Sequence, residues 1–158
     1  MMTLMRSGTK AVLSILLLFS LFIEVVIIPI ILGEIGSAFP EVDHLIVPAF
    51  IGIALVMLCG QAMIAITWML TSLSQDERIF SPRALRLVTV LTALPFAIVA
   101  LLVIAFTVLS VLDVTQPGVT FAIIGSAIVA LAVGFILITM RSLLMRSIAL
   151  HTEMSEVV

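Results

Sequence analysis

The chain has 158 residues, of which 63% are hydrophobic and only 10% are charged. A soluble domain is usually about 45–50% apolar and about 25% charged. Too few polar side chains are present to cover a water-facing surface, so a soluble globule and a disordered chain are both excluded. The formal net charge of −2 gives no basic field, and we expect no direct contact with nucleic acid.

Four stretches are long and apolar enough to cross a hydrocarbon core of about 30 Å, which takes roughly 20 helical residues. They cover about residues 11–32, 45–70, 87–112 and 119–140. The first exceeds the roughly 7–15 apolar residues of a signal peptide, so we expect it to be retained. The sequence therefore predicts an all-α integral membrane protein of one domain. Its fold would be a four-helix transmembrane bundle followed by a tail, 141–158, with the lipid bilayer as its main surroundings.

All seven lysines and arginines lie on one side of this predicted topology. Two precede the first span, three lie in the connection 71–86, and two lie in the tail. The connections 33–44 and 113–118 have none. Because basic residues of short loops stay in the cytoplasm, we expect both termini to be cytoplasmic. Trp68, near the inner end of the second span, is typical of an interfacial anchor.

Local signals mark two of the connections. The Pro-Gly pair at 117–118 predicts a tight turn that makes the last two spans an antiparallel hairpin. Ser81 has the character of a helix N-cap, and Pro82 that of a first helical residue. A third span that begins there would bring Arg83 and Arg86 to the lipid headgroups.

Glu24 is the one acidic or basic residue inside a predicted span. A carboxyl group is expensive to bury in lipid, so such residues face a bundle interior and often mark a transport or proton path. Pro29, five residues later, removes a backbone hydrogen bond and predicts a kink. Two interpretations follow: a proton carrier, or a structural carboxyl hydrogen-bonded to a neighbouring helix. The second is favoured.

Depth along each span, counted at about 1.5 Å per residue, points to partners for these polar groups. Gln61 in the second span lies roughly 9 Å from Glu24 in depth by this count, too far for a direct hydrogen bond. Ser126 in the fourth span is nearly level with Glu24. We therefore expect Glu24 to pair with Ser126, and Gln61 to pair with Ser20 or with a group on another chain.

Small residues recur at intervals of four along the fourth span, at Ala122, Ser126, Ala130 and Gly134. Such a stripe lets helices approach closely. An internal packing seam is the favoured interpretation, and a homodimer face is the alternative.

The sequence contains no recognisable catalytic or metal-binding motif. Glu41, Asp43 and His44 lie on the outer side, but three ligands within four residues seldom converge on one metal ion. We expect a solvated loop there, with no metal and no cofactor. A phosphate-binding loop, a metalloprotease signature and a nucleophile elbow are all missing from the sequence, so we predict that the protein is not an enzyme.

The tail 141–158 is predicted to continue the fourth span as a helix. Its apolar residues, Leu144 and Ile148, suit either a helix lying on the headgroups or a groove that receives a partner's helix. With Arg83 and Arg86 they would form a cytoplasmic surface for a partner. We call these four residues the predicted partner surface.

Two segments resemble those of a known bacterial family. Residues 79–82 read Ile-Phe-Ser-Pro and are followed by Leu-Arg at 85–86. The ending, 149–158, reads Ala-Leu-His-Thr-Glu-Met-Ser-Glu-Val-Val. Both resemble the four-span membrane family known as domain of unknown function twenty-nine seventy-five. This sequence departs from the family at 83–84, where Arg-Ala replaces a more polar pair, and at Ser155, where an acidic residue is common.

The resemblance implies a bacterial inner-membrane protein with four spans and both ends inside. Family members are often encoded beside a small helix-turn-helix regulator, so it also implies a regulatory or accessory protein that binds this DNA-binding partner. The alternative function is a small proton-coupled transporter that uses Glu24. Dual-topology multidrug exporters share four spans and a membrane glutamate, but their weak charge bias is absent here.

Overall fold

The computed structural model describes residues 2–73 and 82–155, with side chains over 8–73 and 84–146. The described residues are almost entirely helical and contain no strand. A π-helical turn, Ile23–Ile27, joins the first two helices, and a 3₁₀ turn, Pro40–Leu45, joins the second and third. The five helices are α1 (Met2–Phe22), α2 (Ile28–Ala38), α3 (Ile46–Leu73), α4 (Pro82–Val111) and α5 (Pro117–Ser155).

Four segments of this structure are long and apolar enough to cross a membrane, which confirms the all-helical, four-span prediction. The first extends to Ala38, six residues past the predicted end at Leu32. The chain divides into two compact units, Met1–Thr71 and Ser72–Val158. The four segments are Gly8–Ala38, Pro40–Leu73, Ala84–Val111 and Pro117–Arg146.

The first unit is an antiparallel hairpin of α1 and α2 against α3. Near the start of the first apolar segment, Gly8–Ala38, the Lys10 Nζ lies 5.5 Å from the centroid of the Trp68 ring, near the end of α3. Near the end of α2, Gly36 is buried and faces the side chain of Ile46, the first residue of α3. A residue early in the first span thus contacts one late in α3, and a residue late in α2 contacts the first residue of α3. The first span and α3 therefore run in opposite directions.

The π turn in the first span is explained by Pro29. Proline has no N–H group to donate to the carbonyl of Val25, and in a regular helix its ring would clash with that carbonyl. The chain widens instead, and the Ile28 N–H donates to the carbonyl of Ile23, five residues back. The irregularity predicted at Pro29 therefore takes the form of a π turn.

The second unit is an antiparallel hairpin of α4 and α5, as predicted. At its centre the rings of Phe96 and Phe135 meet edge to face, with centroids 6.1 Å apart and an interplanar angle of 86°. An aromatic pair of this kind contributes about 0.5–1.5 kcal/mol beyond its buried area. Pro95 is fully buried beside it, close to Gly134. Four further side chains are buried in the same unit: Ala84, Leu91, Thr92 and Ala130.

The small-residue stripe of α5 is only partly a packing seam. Ala130 and Gly134 are buried, whereas Ala122 and Ser126 are exposed. An interval of four residues advances about 40° around a helix with 3.6 residues per turn, so the stripe drifts away from the α4 side. The seam prediction is confirmed for the later half of the stripe, and the homodimer alternative stays a prediction.

The connection between α4 and α5 is a tight turn with Schellman hydrogen bonding. The Asp113 N–H donates to the carbonyl of Ser110 at 3.3 Å, and the Val114 N–H donates to that of Leu109 at 3.2 Å. Asp113 has a φ of 55°, the left-handed conformation that this cap requires. The turn is where the sequence predicted it. The Pro-Gly pair, however, begins the next helix, because Pro117 is the first residue of α5.

The inner connection is described only from Pro82 onward. Pro82 is the first residue of α4, as predicted. Ser81, the predicted N-cap, lies outside the described residues.

We expect Gly134→Val to destabilise the second hairpin far more than Gly125→Val on the same helix. A Cβ atom at position 134 would lie 3.0 Å from the Phe96 ring and 3.4 Å from the Pro95 Cβ, whereas one at position 125 meets nothing within 4 Å. Overpacking of this kind costs about 1–3 kcal/mol. The free energy of unfolding, measured by detergent titration in mixed micelles, tests this. Equal losses in the two variants would contradict the seam.

Candidate functional site

Three polar side chains meet inside the first hairpin. The Gln61 Nε2 donates to the Glu24 Oε2 at 2.6 Å and to the Ser20 Oγ at 3.4 Å. All three side chains are half-buried. We call Ser20, Glu24 and Gln61 the polar cluster.

Local structure sets this arrangement. Ser20 and Glu24 are four residues apart, a spacing that puts them on one face of a helix. Glu24 lies within the π turn, and Gln61 lies near the middle of α3. A polar group in an apolar environment is costly unless it is hydrogen-bonded. The amide of Gln61 meets this requirement for Glu24 across the two helices.

The expected separation of Glu24 and Gln61 in depth is wrong. Glu24 precedes the end of α2, Ala38, by 14 residues, and Gln61 follows the start of α3, Ile46, by 15. At about 1.5 Å per residue, both lie roughly 21–23 Å from the turn that joins the helices. Part of the error arose because the first span was predicted to end at Leu32: an end at Ala38 shifts the midpoint of the span by three residues, or about 4.5 Å.

The structure also gives Glu24 a different partner from the predicted one. Glu24 accepts a hydrogen bond from Gln61, whereas Ser126 lies on α5 and is exposed. The predicted contact between Gln61 and Ser20 is confirmed. Glu24 is thus bonded to a neighbouring helix, as the structural interpretation expected, but that helix is α3.

Sequence reasoning missed one contact of the first hairpin. The Lys10 ammonium approaches the face of Trp68, whose side chain is 44% exposed. Such a cation–π pair contributes about 0.5–1 kcal/mol at an exposed site. The sequence contained a signal for this contact, since Lys10 and Trp68 were both predicted at the cytoplasmic ends of their spans. A tryptophan beside a lysine at a helix end suits the membrane interface.

The predicted partner surface is described in part. Arg86 is exposed on α4, and Leu144 is half-buried on α5. Arg83 and Ile148 belong to the same two helices, and their side chains lie outside the described residues. A role for these residues stays a prediction.

The outer 3₁₀ turn carries the acidic residues and the histidine considered above for metal binding. Glu41, Asp43 and His44 are all exposed, and the Asp43 carboxylate faces Gly36. Within 2–73 and 82–155, no three histidine, cysteine, aspartate or glutamate side chains are grouped to hold a metal ion.

Four apolar helices of this length define a multi-pass membrane protein. The chain matches the family described as "Protein of unknown function (DUF2975)" over residues 30–158, and it belongs to that family. This confirms the resemblance seen in the sequence. No curated protein and no solved structure matches the chain. Ser20 and Glu24 precede the matched residues, so the family match assigns them no role.

Proposed function

We propose that the protein is a non-enzymatic regulatory or accessory protein of the bacterial inner membrane. In this proposal it binds a small cytosolic helix-turn-helix regulator and withholds it from DNA. Both termini and the connection 71–86 face the cytoplasm, because every lysine and arginine lies on that side. The observation that carries the proposal is the length of α5.

Helix α5 is much longer than a membrane span. It runs without interruption over 39 residues, Pro117–Ser155. At about 1.5 Å per residue it measures roughly 58 Å, nearly twice a hydrocarbon core of about 30 Å. Because α5 begins directly after a tight turn, the excess length lies at its carboxyl end. A helix that projects into the cytoplasm supports a docking role.

The antiparallel hairpin brings the start of α4 level with the projecting part of α5. Phe96 meets Phe135, so ten residues before the first ring and ten after the second lie at similar depth. These positions are Arg86 and Met145, beside Leu144. Arg86 is exposed there. At this depth the basic group of Arg86 lies level with the apolar residues Leu144 and Met145. Such a surface suits a partner helix that carries an apolar stripe.

Truncation after Arg146 tests this proposal. The fourth apolar segment ends at Arg146, so the truncated chain should insert normally. We expect the full chain to co-purify with a small helix-turn-helix regulator of the kind encoded beside family members. The chain truncated after Arg146 should retain at most about a tenth as much, since it lacks residues 147–155 of the projecting helix. A second truncation, after Ser155, leaves α5 whole and should retain the regulator fully.

Two results would contradict the proposal. Equal retention by the full chain and the chain truncated after Arg146 would remove the tail from binding. If neither chain retains the regulator, the partner hypothesis falls and the transporter interpretation moves ahead.

A small proton-coupled transporter is the second candidate. The observation in its favour is Glu24, a carboxyl deep in an apolar span and within a π turn, since π turns are frequent at functional sites. Its hydrogen bond to Gln61 equally fits a structural carboxyl. A second copy of the chain would pack on the exposed Ala122 and Ser126 in either function.

A further inference from the structure

The π turn joins two parts of the first span that contact α3 at separate places. On a regular helix, successive residues are about 100° apart around the axis. Lys10, Ser20 and Glu24 then fall within an arc of about 80°, in agreement with their shared contacts to α3. Continued without interruption, the same helix would place Gly36 about 120° from the centre of that arc.

The π turn removes this mismatch. A turn closed by a hydrogen bond between residues five apart absorbs one extra residue. Every later residue is thereby turned back by about 100°, which leaves Gly36 only about 20° from the centre of the arc. In that position Gly36 packs against Ile46 and faces Asp43, on the α3 side.

We propose that Pro29, through the π turn it imposes, is the positioning residue of the polar cluster. It acts as a rotational spacer within the first span. With the π turn present, Gly36 packs the outer end of the first span against Ile46 of α3, and Glu24 accepts the hydrogen bond from Gln61. Without it, a regular helix that keeps Gly36 against Ile46, ten residues along the chain, turns Glu24 away from Gln61.

The first test measures the coupling between Glu24 and Gln61. A double-mutant cycle of Glu24→Leu and Gln61→Leu in the native chain should show a coupling of about threefold in the unfolding equilibrium constant, the average for interhelical hydrogen bonds in membranes. In a Pro29→Ala background the coupling should vanish, because the short connection Pro40–Leu45 keeps Gly36 against Ile46 and a regular helix then turns Glu24 away from Gln61. Pro48→Ala, at an exposed proline of the same hairpin, is the control and should leave the coupling unchanged.

Rescue distinguishes rotation from a general disturbance. Deletion of Val26 in the Pro29→Ala background removes the extra residue from a regular helix, and this returns both contacts to one face. The coupling should reappear in that double variant. The same deletion in the presence of Pro29 should abolish it.

Oxygen accessibility of spin labels gives a readout that does not depend on stability. Spin labels placed one at a time over 11–22 and over 30–37 should each give an oxygen accessibility that oscillates with the helical period. The angular offset between these two oscillations should change by about 100° in Pro29→Ala and return to its native value on deletion of Val26. An unchanged coupling or phase in Pro29→Ala overturns the proposal. A lost coupling that the deletion fails to restore overturns it as well.

Discussion

A cysteine at position 41 or 115 should react with a membrane-impermeant maleimide in intact cells, whereas a cysteine at position 74 should not. Glu41 and Thr115 are exposed in the two connections that carry no basic residue. Ser74 belongs to the connection that carries three arginines, and such loops stay in the cytoplasm. Cys59 is replaced by Ala beforehand, since it is the one native cysteine. The expected difference is nearly complete labelling against background.

Permeabilised cells supply the control for this experiment. All three positions should label there, which shows that each cysteine is reactive once the reagent reaches it. The reverse pattern in intact cells would end the argument from charge. Partial labelling of all three positions would indicate a dual topology and would favour the exporter-like alternative.

The number of spans and their helical nature were accessible from composition, because apolar content and stretch length alone determine what can cross a membrane. The end of the first span was not. Residues 33–37 include two glycines, a glutamate and a serine, so hydropathy falls after Leu32 although the helix continues to Ala38. Backbone hydrogen bonding, which apolarity does not report, sets that boundary. The misplaced end then shifted every depth counted from it, including that of Glu24.

The form of the irregularity at Pro29 was also beyond sequence reasoning. Proline excludes a regular helix, and either a kink or a π turn relieves the clash. Which of them forms depends on contacts on both sides of the proline, here those of Glu24 with Gln61 and of Gly36 with Ile46. These partners are 37 and 10 residues apart in the chain, so no local window contains both.

Gln61→Leu should lower the free energy of unfolding by about 1–3 kcal/mol, because it leaves the half-buried Glu24 carboxyl without its donor. Glu24→Gln should change that free energy by less than about 0.5 kcal/mol, since an amide both donates and accepts. Thr107→Val is the matched control: the hydroxyl of Thr107 bonds only within its own helix, to the Val103 carbonyl at 2.8 Å. Its loss should have little effect. Detergent titration of the purified variants measures all three.

Glu24→Gln also decides between the two functions, because an amide keeps the hydrogen bond but does not exchange a proton near neutral pH. If Glu24 is structural, the variant in liposomes should behave as the native protein does toward an imposed pH gradient, followed with an internal pH-sensitive dye. It should also retain the co-purifying regulator. A Glu24→Gln protein that unfolds like the native one, yet loses a gradient-driven flux that the native protein shows, would contradict the structural role and make Glu24 the proton carrier.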